Sequence, residues 1–155
     1  MSIDHLNEYI RENFFIWSSP IHGLEHWARV WSYGQTIGWS VQADMEVVHY
    51  FAYLHDCARW DDGVDPEHGP RAVAFAKANR ELFDLSEQQF QLLLRAVSGH
   101  TAAMPGCKAG DDPTLATCWD ADRLDIDRVG IAVDPKYLFT ELAQDLAYLK
   151  LESDE

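Results

Sequence analysis

Cysteine is scarce in this chain of 155 residues. The three cysteines, Cys57, Cys107 and Cys118, show no CxxC spacing. An odd number without that spacing favours neither a disulfide framework nor a thiolate zinc site. We therefore expect all three thiols to be reduced.

Basic residues are also few, with 12 lysines and arginines against 26 acidic residues and a formal net charge of −14. This balance opposes the phosphate contacts that dominate binding to nucleic acids, so we expect no polynucleotide partner. A small phosphorylated substrate would also be repelled, unless a cation and a few guanidinium groups reverse the field locally.

Long apolar runs are absent. The first residues lack the basic and apolar stretches of a secretory signal, and no later segment approaches 18 uninterrupted apolar residues. This predicts a cytoplasmic protein with no membrane partner. The apolar fraction of 47% is enough for a packed core, and the length favours one domain over residues 1–155.

No alternating strand pattern persists, and helical periodicity dominates, so the predicted fold class is all-α. Helix starts are indicated by Asp65-Pro66, Asp112-Pro113, Asp134-Pro135 and a capping box at Ser86–Gln89. The segment 45–57 is apolar nearly all round and should form an enclosed central helix. The predicted helices span residues 3–16, 22–38, 43–57, 66–80, 86–99, 113–127 and 137–152.

Histidines and aspartates recur at the ends of these helices, where a fold can gather them around a cation. Each one taken singly has a plainer explanation: a buried histidine is often a hydrogen-bonded packing residue, and an aspartate is often an ion-pair partner. The adjacent pair His55-Asp56 can reach one ion only near a helix end or a distortion, because neighbouring positions point ~100° apart.

Three motifs follow one another along the chain: His26 with Arg29-Val30, then Leu54-His55-Asp56, then Asp122-Arg-Leu. Their order resembles the HD-domain superfamily of metal-dependent phosphohydrolases, and the resemblance covers about residues 20–130. It implies a compact bundle of six to seven helices around a central buried helix. It also implies four metal ligands: His26, His55, Asp56 and Asp122. Asp120 and Asp125 compete with Asp122, and Asp120 is a candidate for a supporting residue or a second ion.

Two more histidines, His68 and His100, make the order similar to the subgroup of this superfamily that carries two metal ions. The resemblance implies that they hold a second ion, or that they bind phosphate or donate a proton beside a single ion. Alternatively, His68 is a helix-start residue near solvent and His100 interacts with a helix dipole. The number of ions, one or two, stays open at this point.

Substrate contacts are predicted for His22, Arg29, His68 and Arg123. Arg29 suits a bidentate phosphate contact, but pairing with one of the many carboxylates is an equal alternative. Asp56 and His100 are the predicted catalytic residues, with Asp56 orienting a water molecule. Mixed histidine and carboxylate ligation suits manganese, iron, cobalt, nickel or zinc, and magnesium is a further candidate for the one or two divalent ions.

The function implied by the resemblance is hydrolysis of a nucleotide or another small phosphate ester or anhydride through a metal-activated water. A phosphodiesterase, a non-catalytic sensor that binds metal and nucleotide, and a metal-free helical interaction domain are the alternatives. Six tryptophans, if some are exposed, would also favour a homodimer.

Overall fold

A computed structural model of the protein describes residues 3–154, and within this range the chain forms seven α-helices and no strand. The all-α prediction is confirmed. The helices are α1 (Ile3–Asn13), α2 (Leu24–Val41), α3 (Met45–Leu54), α4 (His68–Ala78), α5 (Glu87–Gly99), α6 (Pro113–Arg123) and α7 (Glu141–Ser153). Five short 3₁₀ turns connect them.

Helix α3 is the central helix, as predicted. It packs against α1, α2, α5 and α6, and six of its ten residues are buried. Gly34 of α2 lets the two helices approach closely, because a Cβ atom there would lie 2.6 Å from the Cγ1 atom of Val48. This contact lies in the first half of α3 and holds α2 close beside it.

The end of α3 differs from the prediction. Regular helix stops at Leu54 rather than at residue 57, and residues 55–58 form tight turns. The amide of Cys57 donates to the carbonyl of Leu54, three residues back, at 3.2 Å. His55 and Asp56 therefore lie just past a helix end, which is the condition under which adjacent side chains can face one point.

Two predicted helix starts are confirmed by their caps. Asp112 accepts hydrogen bonds from the amides of Thr114 and Leu115, and Ser86 forms the full capping box with Gln89. The other two Asp-Pro predictions were wrong. Pro135 begins only a 3₁₀ turn, and α7 starts later with Thr140 as its cap. Asp65 does not cap α4; its carboxylate accepts from the amide of Trp60 and pairs with Arg71.

The apolar interior has two parts. The larger one surrounds α3, and the smaller one lies between α7 and the ends of α2 and α6 and contains Ile37, Leu124, Val133, Leu138, Ala143 and Ala147. All three cysteines are unpaired, as expected. No helix in residues 3–154 has the length and hydropathy needed to cross a membrane.

Candidate metal centre

Six histidine and aspartate side chains from five parts of the chain meet beside the end of α3. They come from α2, the turn after α3, the first residue of α4, the residue after α5 and the end of α6. Five of them are buried and the sixth, Asp122, keeps 14% of its side chain exposed. They are His26, His55, Asp56, His68, His100 and Asp122, which are the six predicted metal-ligand candidates.

The first group holds His26, His55, Asp56 and Asp122. The Oδ2 atom of Asp56 lies 3.5 Å from His26 Nε2 and 3.4 Å from His55 Nε2. The Oδ1 atom of Asp122 lies 3.3 Å and 3.5 Å from the same two nitrogens. Each of the two imidazole nitrogens thus has two carboxylate oxygens within 3.5 Å, and donor atoms of these kinds bind transition ions.

The second group uses the other oxygen of Asp56. Its Oδ1 atom lies 3.2 Å from His68 Nε2 and 3.7 Å from His100 Nε2. Asp56 is therefore shared, with one carboxylate oxygen directed at each histidine pair. A carboxylate arranged in this way could bridge two ions.

The hydrogen bonds of the four imidazoles determine which nitrogen is available to a ligand. The Nδ1 atoms of His55, His68 and His100 point at backbone carbonyl oxygens, which can only accept a hydrogen bond. The Nδ1 atom of His26 lies 2.7 Å from a carboxylate oxygen of Asp125. Each neutral ring therefore holds its proton on Nδ1 and directs the lone pair of Nε2 into the site.

These lone pairs face each other at short range. The two Nε2 atoms are 3.1 Å apart in the His26–His55 pair and 2.8 Å apart in the His68–His100 pair. Two acceptor nitrogens at such distances repel unless a proton or a cation lies between them. The residues present thus fit a divalent cation, and their Nδ1 contacts are those that orient metal-binding histidines.

The electrostatics favour positive charge in the first group. Burial lowers the pKa of His55, but the carboxylates of Asp56 and Asp122 outweigh this effect and raise it to about 10. Burial likewise opposes ionisation of Asp56, yet the facing histidines, His55 foremost, hold the pKa of Asp56 well below its usual range. Both carboxylates are therefore ionised at neutral pH and attract a cation.

Arg29 lies behind this group and not in the cavity. Its Nε atom donates to Asp125 at 2.8 Å, and the other oxygen of Asp125 accepts from His26 Nδ1. Arg29 thus pairs with a carboxylate, which is the alternative given above. It supports Asp125 instead of making the predicted contact with phosphate. Asp125, a competitor of Asp122 in the sequence, orients His26 from outside the ligand group.

A cavity of about 270 Å³ opens over the two groups. It is lined by Asp56, His100 and Asp122, by the predicted residues His22 and Arg123, and by Arg59 and Arg128. Sequence reasoning missed Arg128, whose Nη2 atom lies 4.0 Å from Asp56 Oδ2. The Nε atom of Arg59 donates to Asp56 Oδ1 at 3.1 Å.

His22 reaches the cavity from the loop before α2. Its Nδ1 atom lies 2.7 Å from Asp62, whose carboxylate also accepts from Ser19 at 2.6 Å. The Nε2 atom has no hydrogen-bond partner within residues 3–154 and belongs to a ring that lines the cavity. Burial lowers the pKa of His22, which favours the neutral ring. Asp62 was not found from the sequence, because it lies 40 positions from His22.

Asp120 is not a metal ligand. Its carboxylate accepts from the amides of Phe139 and Thr140 and from the Thr140 hydroxyl, each within 2.8 Å. It faces away from the histidines because Asp120 and Asp122 lie on different sides of α6. The idea that Asp120 supports a second ion is therefore wrong: its role is to hold the start of α7.

The fold is similar to that of one solved structure. That structure is the crystal structure of a predicted HD superfamily hydrolase from an uncultured Thermotogales bacterium, at 1.45 Å resolution. The TM-score is 0.73 with 24% sequence identity, and the match covers 97% of this chain and 85% of the other. The chain has the HD superfamily fold. No protein-family model and no curated protein matches the sequence.

In this chain the histidine and aspartate groups lie beside the end of the central helix α3. Their chemistry is that of a divalent metal site, and the resemblance given by the sequence is confirmed at the level of the fold. The assignment of individual ligands stays a prediction.

Proposed function

We propose that this HD-fold protein is a metal-dependent phosphohydrolase that acts on a small phosphate ester or anhydride, with nucleotides among its candidate substrates. The observation that carries the proposal is the sharing of Asp56 between two histidine pairs at the floor of an open cavity. In two-metal sites, paired ions stabilise the attacking and leaving oxygens of a phosphoryl group.

The charge distribution around the cavity supports a phosphate substrate. The chain carries a net charge of −14, yet Arg59, Arg123 and Arg128 all line this one cavity. Guanidinium groups match phosphate oxygens geometrically and keep their charge at all relevant pH values. Together with bound cations they would reverse the local field. An anionic ligand needs this reversal because the net negative charge of the chain would otherwise repel it.

The residues divide into separate roles in this proposal. His26, His55, Asp56 and Asp122 would hold one divalent ion, and Asp56, His68 and His100 would hold a second. When bound, the ions would lower the pKa of a water molecule towards neutrality and draw charge from the phosphoryl oxygens.

The residues above the ions would act on the substrate itself. Arg59 and Arg128 would orient the phosphate. His22, held by Asp62, would accept a proton from the attacking water at its Nε2 atom and then pass that proton to the leaving oxygen.

The test is phosphate release by the purified, manganese-loaded protein from phosphomonoesters, dinucleoside polyphosphates and cyclic nucleotides. We expect release from at least one of the first two classes and loss of release in Asp56→Asn. Asp111→Asn, which changes an exposed aspartate outside the cavity, is the matched control and should keep full activity.

The alternatives give different results in this experiment. Turnover of cyclic nucleotides alone would indicate a phosphodiesterase. Tight nucleotide binding without turnover would indicate a sensor module. A protein that takes up no metal under any condition would contradict the proposal and favour a helical interaction domain.

A further inference from the structure

A second cavity, of about 240 Å³, lies beside the metal centre and has a different character. It is formed by the segment after α5, the end of α6 and the chain before α7. Most of its lining is apolar: Met104, Ile126, Ile131, Val133, Tyr137 and Leu138. Binding cavities for organic ligands commonly combine such a lining with a few polar groups.

The two cavities adjoin. Thr101, Arg123 and Ile126 line both of them, and Thr101 directly follows the predicted ligand His100. A molecule whose phosphate lay over the metal-ligand groups could therefore extend into the apolar cavity without leaving the protein surface.

Arg123 forms the boundary and joins the walls of the apolar cavity. Its two Nη atoms donate to the carbonyl oxygens of Ala103, in the segment after α5, and of Tyr137, in the chain before α7. Its donors are thus largely engaged by the backbone, and Asp134 is paired with Lys136 at 2.9 Å. Few polar groups remain in this cavity to bind a hydroxyl-rich ligand.

The mouth of the apolar cavity is built from side chains that remain partly in water. Met104 is 46% exposed, Ile131 is 56% exposed and Tyr137 is 42% exposed. An apolar group placed between them would remove this surface from water, which favours binding in proportion to the area covered.

We infer that the apolar cavity binds the leaving group of the substrate, and that this leaving group carries an aryl or alkyl portion. This inference rests on the proposed function and specifies its substrate class. Compounds whose phosphate is attached only to hydroxyl-rich or inorganic groups, such as hexose phosphates and pyrophosphate, would leave the cavity in water and bind less tightly.

The test compares two phosphonates, which keep the charge of a phosphate but cannot be hydrolysed. We expect the manganese-loaded protein to bind benzylphosphonate at least about tenfold more tightly than methylphosphonate in titration calorimetry, since one methylene group in an apolar site is worth a factor of that order. Equal affinity for the two compounds would overturn the inference.

Variants test whether the benzyl group binds in the apolar cavity. The double change Met104→Ser with Ile131→Ser should reduce the preference for the benzyl compound to about threefold or less and leave methylphosphonate binding unchanged, because it removes apolar atoms that only the benzyl group would cover. Leu149→Ser, at an exposed position of α7 outside both cavities, is the matched control. A preference that survives the double change would place the benzyl group elsewhere and overturn the inference.

A third measurement separates failure of the inference from failure of the proposed function. Benzyl alcohol, which has no phosphate, should shift the methyl NMR signals of Met104 and Ile131 in the wild-type protein. If both phosphonates fail to bind while these signals shift, the phosphohydrolase proposal fails and the apolar site stands. If benzyl alcohol leaves the signals unchanged, or if sedimentation shows a dimer that Ile131→Ser dissociates, the cavity has another occupant and the inference fails.

Discussion

The Nε2 atoms of His68 and His100 lie 2.8 Å apart, with their lone pairs directed at each other and at Oδ1 of Asp56. The backbone carbonyls of Asp65 and Val97 fix this arrangement by accepting the Nδ1 protons. The same arrangement is repeated on the other oxygen of Asp56 by His26 and His55. The pair of histidines, and not the single residue, is thus the repeated unit of this centre.

The number of bound metal ions should depend on how many of the two histidine pairs are intact. The wild-type protein is expected to bind about two manganese ions, His68→Gln about one, and Asp56→Asn neither, because Asp56 serves both groups. Elemental analysis after gel filtration in manganese gives the ratios. A His68→Gln protein with wild-type metal content would show that His68 is not a ligand.

Asp125 should influence metal affinity without being a ligand. Asp125→Asn removes the charge that orients His26 and should weaken metal binding by about 10- to 100-fold. Asp127→Asn, which changes a half-exposed aspartate paired with Lys150, should leave the affinity unaltered. Calorimetric titration with manganese measures both, and equal affinities in the two variants would refute this role.

His22 and Asp62 should affect turnover but not metal content. His22→Gln is expected to lower kcat by about 100-fold, the lower range for a group that transfers a proton, with unchanged manganese stoichiometry. Asp62→Asn should lower kcat by a smaller factor, because it disturbs only the orientation of His22. Loss of metal from either variant would instead assign them to the ligand groups.

Substitution of Asp120 should affect stability, whereas substitution of Asp122 should affect metal binding. Asp120→Ala leaves the amides of Phe139 and Thr140 without their acceptor and should lower the free energy of unfolding by about 3 kcal/mol. Asp122→Ala should instead lower metal affinity. Chemical denaturation of the metal-free proteins and manganese titration of the folded ones distinguish the two, and the reverse assignment would contradict the structure.

Stability should fall in mild acid because of His49. Its ring stacks on Trp31, with 4.0 Å between ring centroids, and burial lowers its pKa below the usual 6.5. Below pH 6.5 the unfolded chain binds the proton more readily than the folded one, so the free energy of unfolding decreases as the pH falls. His49→Phe should show a smaller loss between pH 7.5 and 5 in denaturation of the metal-free protein. An identical loss would show that other groups cause it.

Capping residues in the sequence predicted helix starts correctly where the cap bonds only to its own helix. Asp112 and Ser86 cap the amides of their own first turn, so their patterns were sufficient. Asp65 failed as a cap because Arg71, six residues on, and the loop amide of Trp60 engage its carboxylate. Helix α2 continues past Gly38 to Val41, since packing against α3 and α6 outweighs the cost of glycine in a helix.

The candidate site was predicted through the resemblance to the HD-domain superfamily and not from local signals. The order of histidines and aspartates named all six side chains that meet. Arg128 could not be found, because its contact with Asp56 depends on the 3₁₀ turn after α6 and on its bond to the carbonyl of Ile21. The sequence left two alternatives for Arg29, phosphate contact and carboxylate pairing. Only the folded arrangement shows that Arg29 pairs with Asp125.

The smaller apolar core supports the walls of the apolar cavity separately from the histidine pairs. The chain that walls the apolar cavity, including Val133 and Leu138, is anchored in that core with α7, whereas the histidine pairs are anchored around α3. Segments with their own packing can open locally at a lower free energy than the whole molecule. If the protein is the proposed phosphohydrolase, mutations in α7 would alter which leaving groups it accepts and leave metal binding unchanged. Substrate range and metal binding would then evolve independently.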